Sequence, residues 1–192
     1  LFLMDAPGKR EELHNMARRI ATCGYFVMLP NLYYRRVREF ISDGTQKNRE
    51  VMFEHKNSLS NDMVVEDCVG LLEEALKYES ASKGPAGCVG YCMSGPFAFS
   101  ASAKINHRIC ATASIHGVDL YTDSENSPHK NAHKIKGEIY FGCAEYDEWV
   151  PNEMIELLSK YLAKVKINYR IEWFPGTKHG FVFPGRVGKY NY

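Results

Sequence analysis

Short apolar runs alternate with stretches of helical periodicity along this chain, and that alternation restricts its fold more than any other feature. Apolar runs at 1–4, 25–29, 86–89, 109–115, 138–141 and 169–174 read as strands. Between them, Leu13, Met16, Ala17, Ile20 and Ala21 recur at the spacing of one helix face. Val64, Cys68, Leu71, Leu72, Ala75 and Leu76 repeat that pattern, and Ile155, Leu158 and Leu162 form a third stripe. Gly24 is placed to end the first helix, Ser60, Asn61 or Asp62 to cap the second, and Pro151 to open the last. A further helix is expected over 94–104, and a short one inside the polar excursion of 35–60. Such a chain is predicted to be an α/β protein: a mostly parallel sheet with helices on both faces, binding its ligand beyond the carboxyl ends of the strands.

The 192 residues, 45% of them hydrophobic, suit a single domain over 1–192. With 24 Lys and Arg against 23 Asp and Glu, nothing in the charge favours a nucleic-acid or membrane-surface partner. No apolar run approaches the ~18 residues of a membrane span. A small-molecule substrate is expected, while oligomeric state is not legible. The six cysteines follow no regular spacing and no signal peptide is apparent, so reduced thiols and a cytoplasmic location are expected. Residues 1–4 read as the end of a strand already under way, and no amphipathic helix follows the last strand. Elements are therefore expected to be missing at both ends.

Three strand ends carry chemistry. Gly90-Tyr-Cys-Met-Ser-Gly95 has the form of a nucleophile elbow, in which small neighbours let a strand turn into a helix so sharply that Cys92 projects from the turn. The usual pattern has glycine two places after the nucleophile, where this chain has Ser94. Asp147 stands on the loop after the strand at 138–141, flanked by Glu145 and Glu148 as competing acids. His179 follows the next strand, between Lys178 and Gly180. The order nucleophile, acid, histidine is that of an α/β-hydrolase triad and puts all three on one sheet edge. His129 and His133 have a spacing compatible with a metal pair, but no cysteine or carboxylate completes a ligand set, so no metal site is expected.

Met4-Asp-Ala-Pro-Gly8, the run from Gly24 to Tyr33, Gly90-Tyr-Cys-Met-Ser-Gly95, Ala144-Glu-Tyr-Asp147 and His179-Gly-Phe181 together resemble the ordered motifs of the dienelactone hydrolase family. The resemblance covers nearly the whole chain. It implies an α/β-hydrolase fold, a Cys92–His179–Asp147 triad, no cofactor, and cleavage of a small ester or lactone. It further implies that Asp5 takes the place of a family glutamate that helps generate the thiolate, one methylene shorter here, and that the Ala6 and Met93 amides form the oxyanion hole. Family members acting on dienelactones hold the substrate carboxylate with arginines, one of them four residues after the histidine. That position is Phe183 here, with Arg186 three further on and Arg35 or Arg36 near Tyr33 as alternatives. The hydrolase class therefore transfers and the dienelactone substrate does not.

Tyr33, Arg35, His116, Trp149, Phe181 and Phe183 are expected to surround the substrate, the aromatic members walling an apolar pocket. Two other readings stand beside this one. An amidotransferase-like fold also sets a cysteine on an elbow, but lacks support because no His-x-Glu pair follows. A non-catalytic member of the hydrolase fold would use the same pocket to bind a ligand or partner.

Overall fold

In the computed structural model, which describes residues 1–186 and 188–190, five parallel strands form one sheet in sequence order. They are β1 (Phe2–Leu3), β2 (Ala86–Tyr91), β3 (Ile109–Ile115), β4 (Glu138–Tyr146) and β5 (Asn168–Lys178). The pairings place Phe2 beside Val89, Val89 beside Ala113 and Phe141 beside Ile171, with register shifts at Ala86/Gly87 of β2 and Ala144/Tyr146 of β4. Because every described pairing is parallel, the five carboxyl ends share one rim, and they deliver Asp5, Cys92, His116, Asp147 and His179 to it.

Helices α1 (Glu11–Ala21), α2 (Gln46–Asn57), α3 (Asn61–Ala75), α4 (Gly95–Lys104) and α5 (Asn152–Val165) accompany the sheet. Their local signals act as read. The Ser60 hydroxyl accepts from Met63 N–H at the start of α3, Pro151 precedes α5, and Gly24 takes a left-handed φ of 90° just beyond α1. The stripe Ile155, Leu158 and Leu162 is buried against Ile139, Phe141 and Cys143 of β4 in one core cluster. A second cluster joins Leu13 of α1, Val64 and Cys68 of α3, and Ala98 of α4 to Phe2 and Leu3. Burying each such leucine or isoleucine contributes roughly 1.5–3 kcal/mol. Among the described residues no helix is long and apolar enough to cross a membrane.

One expected strand differs. Residues 25–29 are extended but not part of the ladder, touching β1 through one backbone bond from Phe2 N–H to Met28 O at 2.9 Å. The reason is the neighbour: β1 is only two residues long and offers too few groups to sustain a ladder, and Tyr25 stays exposed. The polar loop before His133 contains a 3-10 turn, Pro128–Lys134, in which His129 is buried against Ser127 Oγ (2.7 Å) and stacked on Tyr121.

Candidate active site

At the end of β2 the backbone of Cys92 is forced into the left-handed region, φ 53°, before a 3-10 turn (Cys92–Ser94) leads into α4. Such a conformation is costly for a residue with a Cβ and recurs where function requires it. The sharpness of the turn explains Gly90: a Cβ there would lie 2.0 Å from the Ser94 carbonyl oxygen. Ser94 itself is fully buried, and its hydroxyl donates to the Met4 carbonyl, so the departure from glycine ties the elbow to the end of β1. All six cysteines are free thiols. Cys92 is half-buried, whereas Cys68, Cys88 and Cys143 are buried.

Asp147 and His179 meet across the ends of β4 and β5. His179 Nδ1 lies 2.9 and 2.8 Å from the two Asp147 carboxylate oxygens, and the Trp149 backbone N–H donates to the same carboxylate at 2.9 Å. The imidazole is 4% exposed. Burial draws its pKa down, but hydrogen bonding to Asp147 and to Cys92 outweighs that and lifts it to about 9. The ring thus has Asp147 on one side and the Cys92 thiol on the other. The competing acids are engaged elsewhere, Glu145 accepting from Gly176 N–H (2.7 Å) and Glu148 from Lys189 (3.1 Å) and the Trp149 indole (3.2 Å).

Ala6 and Met93 are buried beside this pair. The Ala6 N–H has no protein acceptor among the described residues, and the Met93 N–H lies in the first turn after the elbow, where helical geometry supplies none. Tyr33 links them: its hydroxyl donates to the Ala6 carbonyl at 2.8 Å and lies 3.3 Å from the Met93 sulfur. Tyr33 is 1% exposed, so it braces this corner and does not line an open pocket.

The Asp5 carboxylate, fully buried, accepts from Arg10 Nη1 (2.5 Å) and from Arg186 Nη2 (2.6 Å), while Cys92 is engaged with His179. Glu12 completes the cluster by binding Arg10 (2.7 Å) and the Gly185 N–H (2.6 Å). Both guanidinium groups lie over the Phe183 ring, at 4.9 and 4.8 Å. Arg186 also covers Gly180, which has a left-handed φ of 85° and where a Cβ would run into the Arg186 side chain. The loop carrying His179 is thereby fastened to the loop carrying Asp5 and Ala6.

Of the expected aromatic residues, Trp149 alone is well exposed, with its ring centroid 6.5 Å from that of His179. Phe181, Phe183 and His116 are buried and pack against one another. His116 sits with its ring 4.6 Å from that of His179 and neither nitrogen bonded; burial first, then His179 and Arg186, push its pKa well below the usual value and keep it neutral. Arg35 makes a bidentate pair with Asp67 (2.7 Å each) on α3. Arg10 and Phe53 were not singled out from the sequence. Arg10 lies five residues past Asp5, where an arginine beside an acidic helix start carries no distinguishing signal, and Phe53 sits in a helix with a weak apolar stripe. A concavity of about 670 Å³ lies beside Tyr25, Leu72 and Ala111 and is lined by none of these residues.

The family model for the dienelactone hydrolase family matches residues 1–192. The chain belongs to that family of hydrolases. Among its relatives, the carboxymethylenebutenolidase of Rhodococcus opacus is 22% identical over 184 residues, covering 95% of this chain and 69% of that protein. The hydrolase tropI of Talaromyces stipitatus is 28% identical over 196 residues, covering 94% and 69%. The fold is also that of a Klebsiella pneumoniae protein assigned to the dienelactone hydrolases, with a TM-score of 0.85 at 18% identity over 99% of this chain and 78% of the other. The mostly parallel sheet expected from the alternation of elements is therefore the α/β-hydrolase sheet of this family.

Proposed function

We propose that this protein hydrolyses small carboxylic esters or lactones by acyl transfer to Cys92. The observation that carries the reading is the imidazole of His179 held between the Asp147 carboxylate, at 2.8 Å, and the Cys92 thiol on a strained elbow. In this mechanism the Cys92 sulfur attacks the ester carbonyl carbon while its proton resides on His179, whose tautomer Asp147 fixes. The carbonyl oxygen becomes an oxyanion facing the Ala6 and Met93 amides, an arrangement in which one donor is worth about 3 kcal/mol of transition-state stabilisation. Collapse of the tetrahedral adduct breaks the carbon–oxygen bond, and the leaving alkoxide takes the proton from His179. Water, deprotonated by His179, then attacks the thioester and releases the acid, returning the proton to sulfur.

Asp5 serves this chemistry by position, as the anion that holds Arg10 and Arg186 and through them the histidine loop. All six cysteines are free thiols, which fits a reducing compartment, and on that ground the protein is placed in the cytoplasm. The test is turnover of a panel of aryl esters and lactones by the wild type and by Cys92→Ala. The variant is expected to lose several orders of magnitude in kcat, because the nucleophile acts as a unit with its base. Equal activity in the two proteins would reject the assignment.

A further inference from the structure

On the hydrolase reading, the groups around His179 bear on which esters the site accepts. Outward from the imidazole stands Trp149, 43% exposed, and Phe53 lies 6.1 Å beyond it, centroid to centroid. These two aromatic faces are reachable from solvent beside the reacting pair. Besides Asp147, the carboxylate beside Trp149 is Glu148, which accepts from the Trp149 indole N–H at 3.2 Å and is bound by Lys189.

A substrate carboxylate taken out of water requires a paired cation, best a bidentate guanidinium. Here those groups are occupied. Arg10 and Arg186 are matched by Asp5 and Glu12, two positive charges against two negative, and Arg35 is matched by Asp67. To recruit Arg186, a substrate anion would have to displace it from Asp5, a carboxylate with no contact with water. Arg49 lies 5.8 Å over Phe53 but is exposed, where its charge is screened.

We propose that the site selects uncharged esters or lactones bearing an aromatic group, seated on Trp149 and Phe53, and discriminates against esters that carry a carboxylate. The experiment compares 4-nitrophenyl valerate with the mono-4-nitrophenyl ester of glutaric acid, which share a leaving group and a three-methylene spacer and differ in the terminal carboxylate. The wild type is expected to favour the neutral ester by at least about tenfold in kcat/KM, a difference of about 1.4 kcal/mol. Trp149→Ala is expected to reduce the preference for 4-nitrophenyl 3-phenylpropanoate over the valerate ester by about tenfold, the upper range for one aromatic contact. Equal or faster turnover of the glutarate ester would overturn this inference and leave acyl transfer intact. Absence of turnover of all three esters, by wild type and Cys92→Ala alike, would overturn the hydrolase reading and this inference with it.

Discussion

Asn in place of Asp147 keeps the shape beside His179 and removes the charge, and its effect on stability follows from the imidazole's surroundings. An unfolded imidazole titrates near 6.5, whereas the folded ring is lifted to about 9, burial being outweighed by the interactions with Asp147 and Cys92. A gap of that size corresponds to roughly 3 kcal/mol of linkage free energy. The folded state holds the proton more tightly than the unfolded chain, so this contribution is complete below pH 6.5 and is lost as pH rises through about 9. In Asp147→Asn, burial is opposed by Cys92 alone, the folded pKa drops, and the increment shrinks. Urea unfolding of both proteins at pH 6 and pH 9.5 measures this, because groups common to the two cancel in the difference. The wild type is expected to exceed the variant by a margin that narrows between the two pH values, by at most about 3 kcal/mol while Cys92 still raises the variant's pKa. A margin constant over that range would refute the electrostatic account of the His179–Asp147 pair.

Other substitutions probe the supports of the site. Tyr33→Phe strips the buried Ala6 carbonyl of its 2.8 Å donor, and is expected to cost about 1–3 kcal/mol in urea unfolding and to lower kcat more than it raises KM. Asp5→Asn leaves the two guanidinium groups over Phe183 without their shared carboxylate and is expected to destabilise by about 3 kcal/mol, the lower end for a broken buried pair because both arginines retain some contact with water. Gly90→Ala drives a Cβ into the Ser94 carbonyl and is expected to cost about 3 kcal/mol or more by thermal or urea unfolding, with loss of the elbow's activity.

What the sequence revealed of this molecule divides by range. The elbow was legible because its constraint is local: Gly90, Cys92 and Ser94 act on one another within a single turn. Asp147 and His179 were legible for a topological reason, since parallel strands put every strand-to-helix loop on the same rim. The stripes of α1, α3 and α5 followed from periodicity, and of their buried members only Val65 of α3 was not among those expected. Residues whose roles depend on how loops pack were read less well. Tyr33, Phe183 and His116 suit a pocket wall by type and position, yet packing between loops buries them, and no local pattern states that. The strand expected at 25–29 has the right composition but needs a longer neighbour than β1 to become one. Arg10 and Arg186 acquire their meaning from Asp5, and a pairing of that reach leaves no periodic trace.

The bond between Asp5 and Arg186 joins positions 181 apart and closes nearly the whole described chain into one ring. The entropy lost in closing a loop grows with its length, and nothing recovers that loss until the two groups touch. On the proposed hydrolase reading, refolding followed by turnover of an ester substrate would report the arrival of this distant contact, while circular dichroism reports the sheet. A lag of catalysis behind ellipticity would be the kinetic signature of a centre braced by residues 181 positions apart.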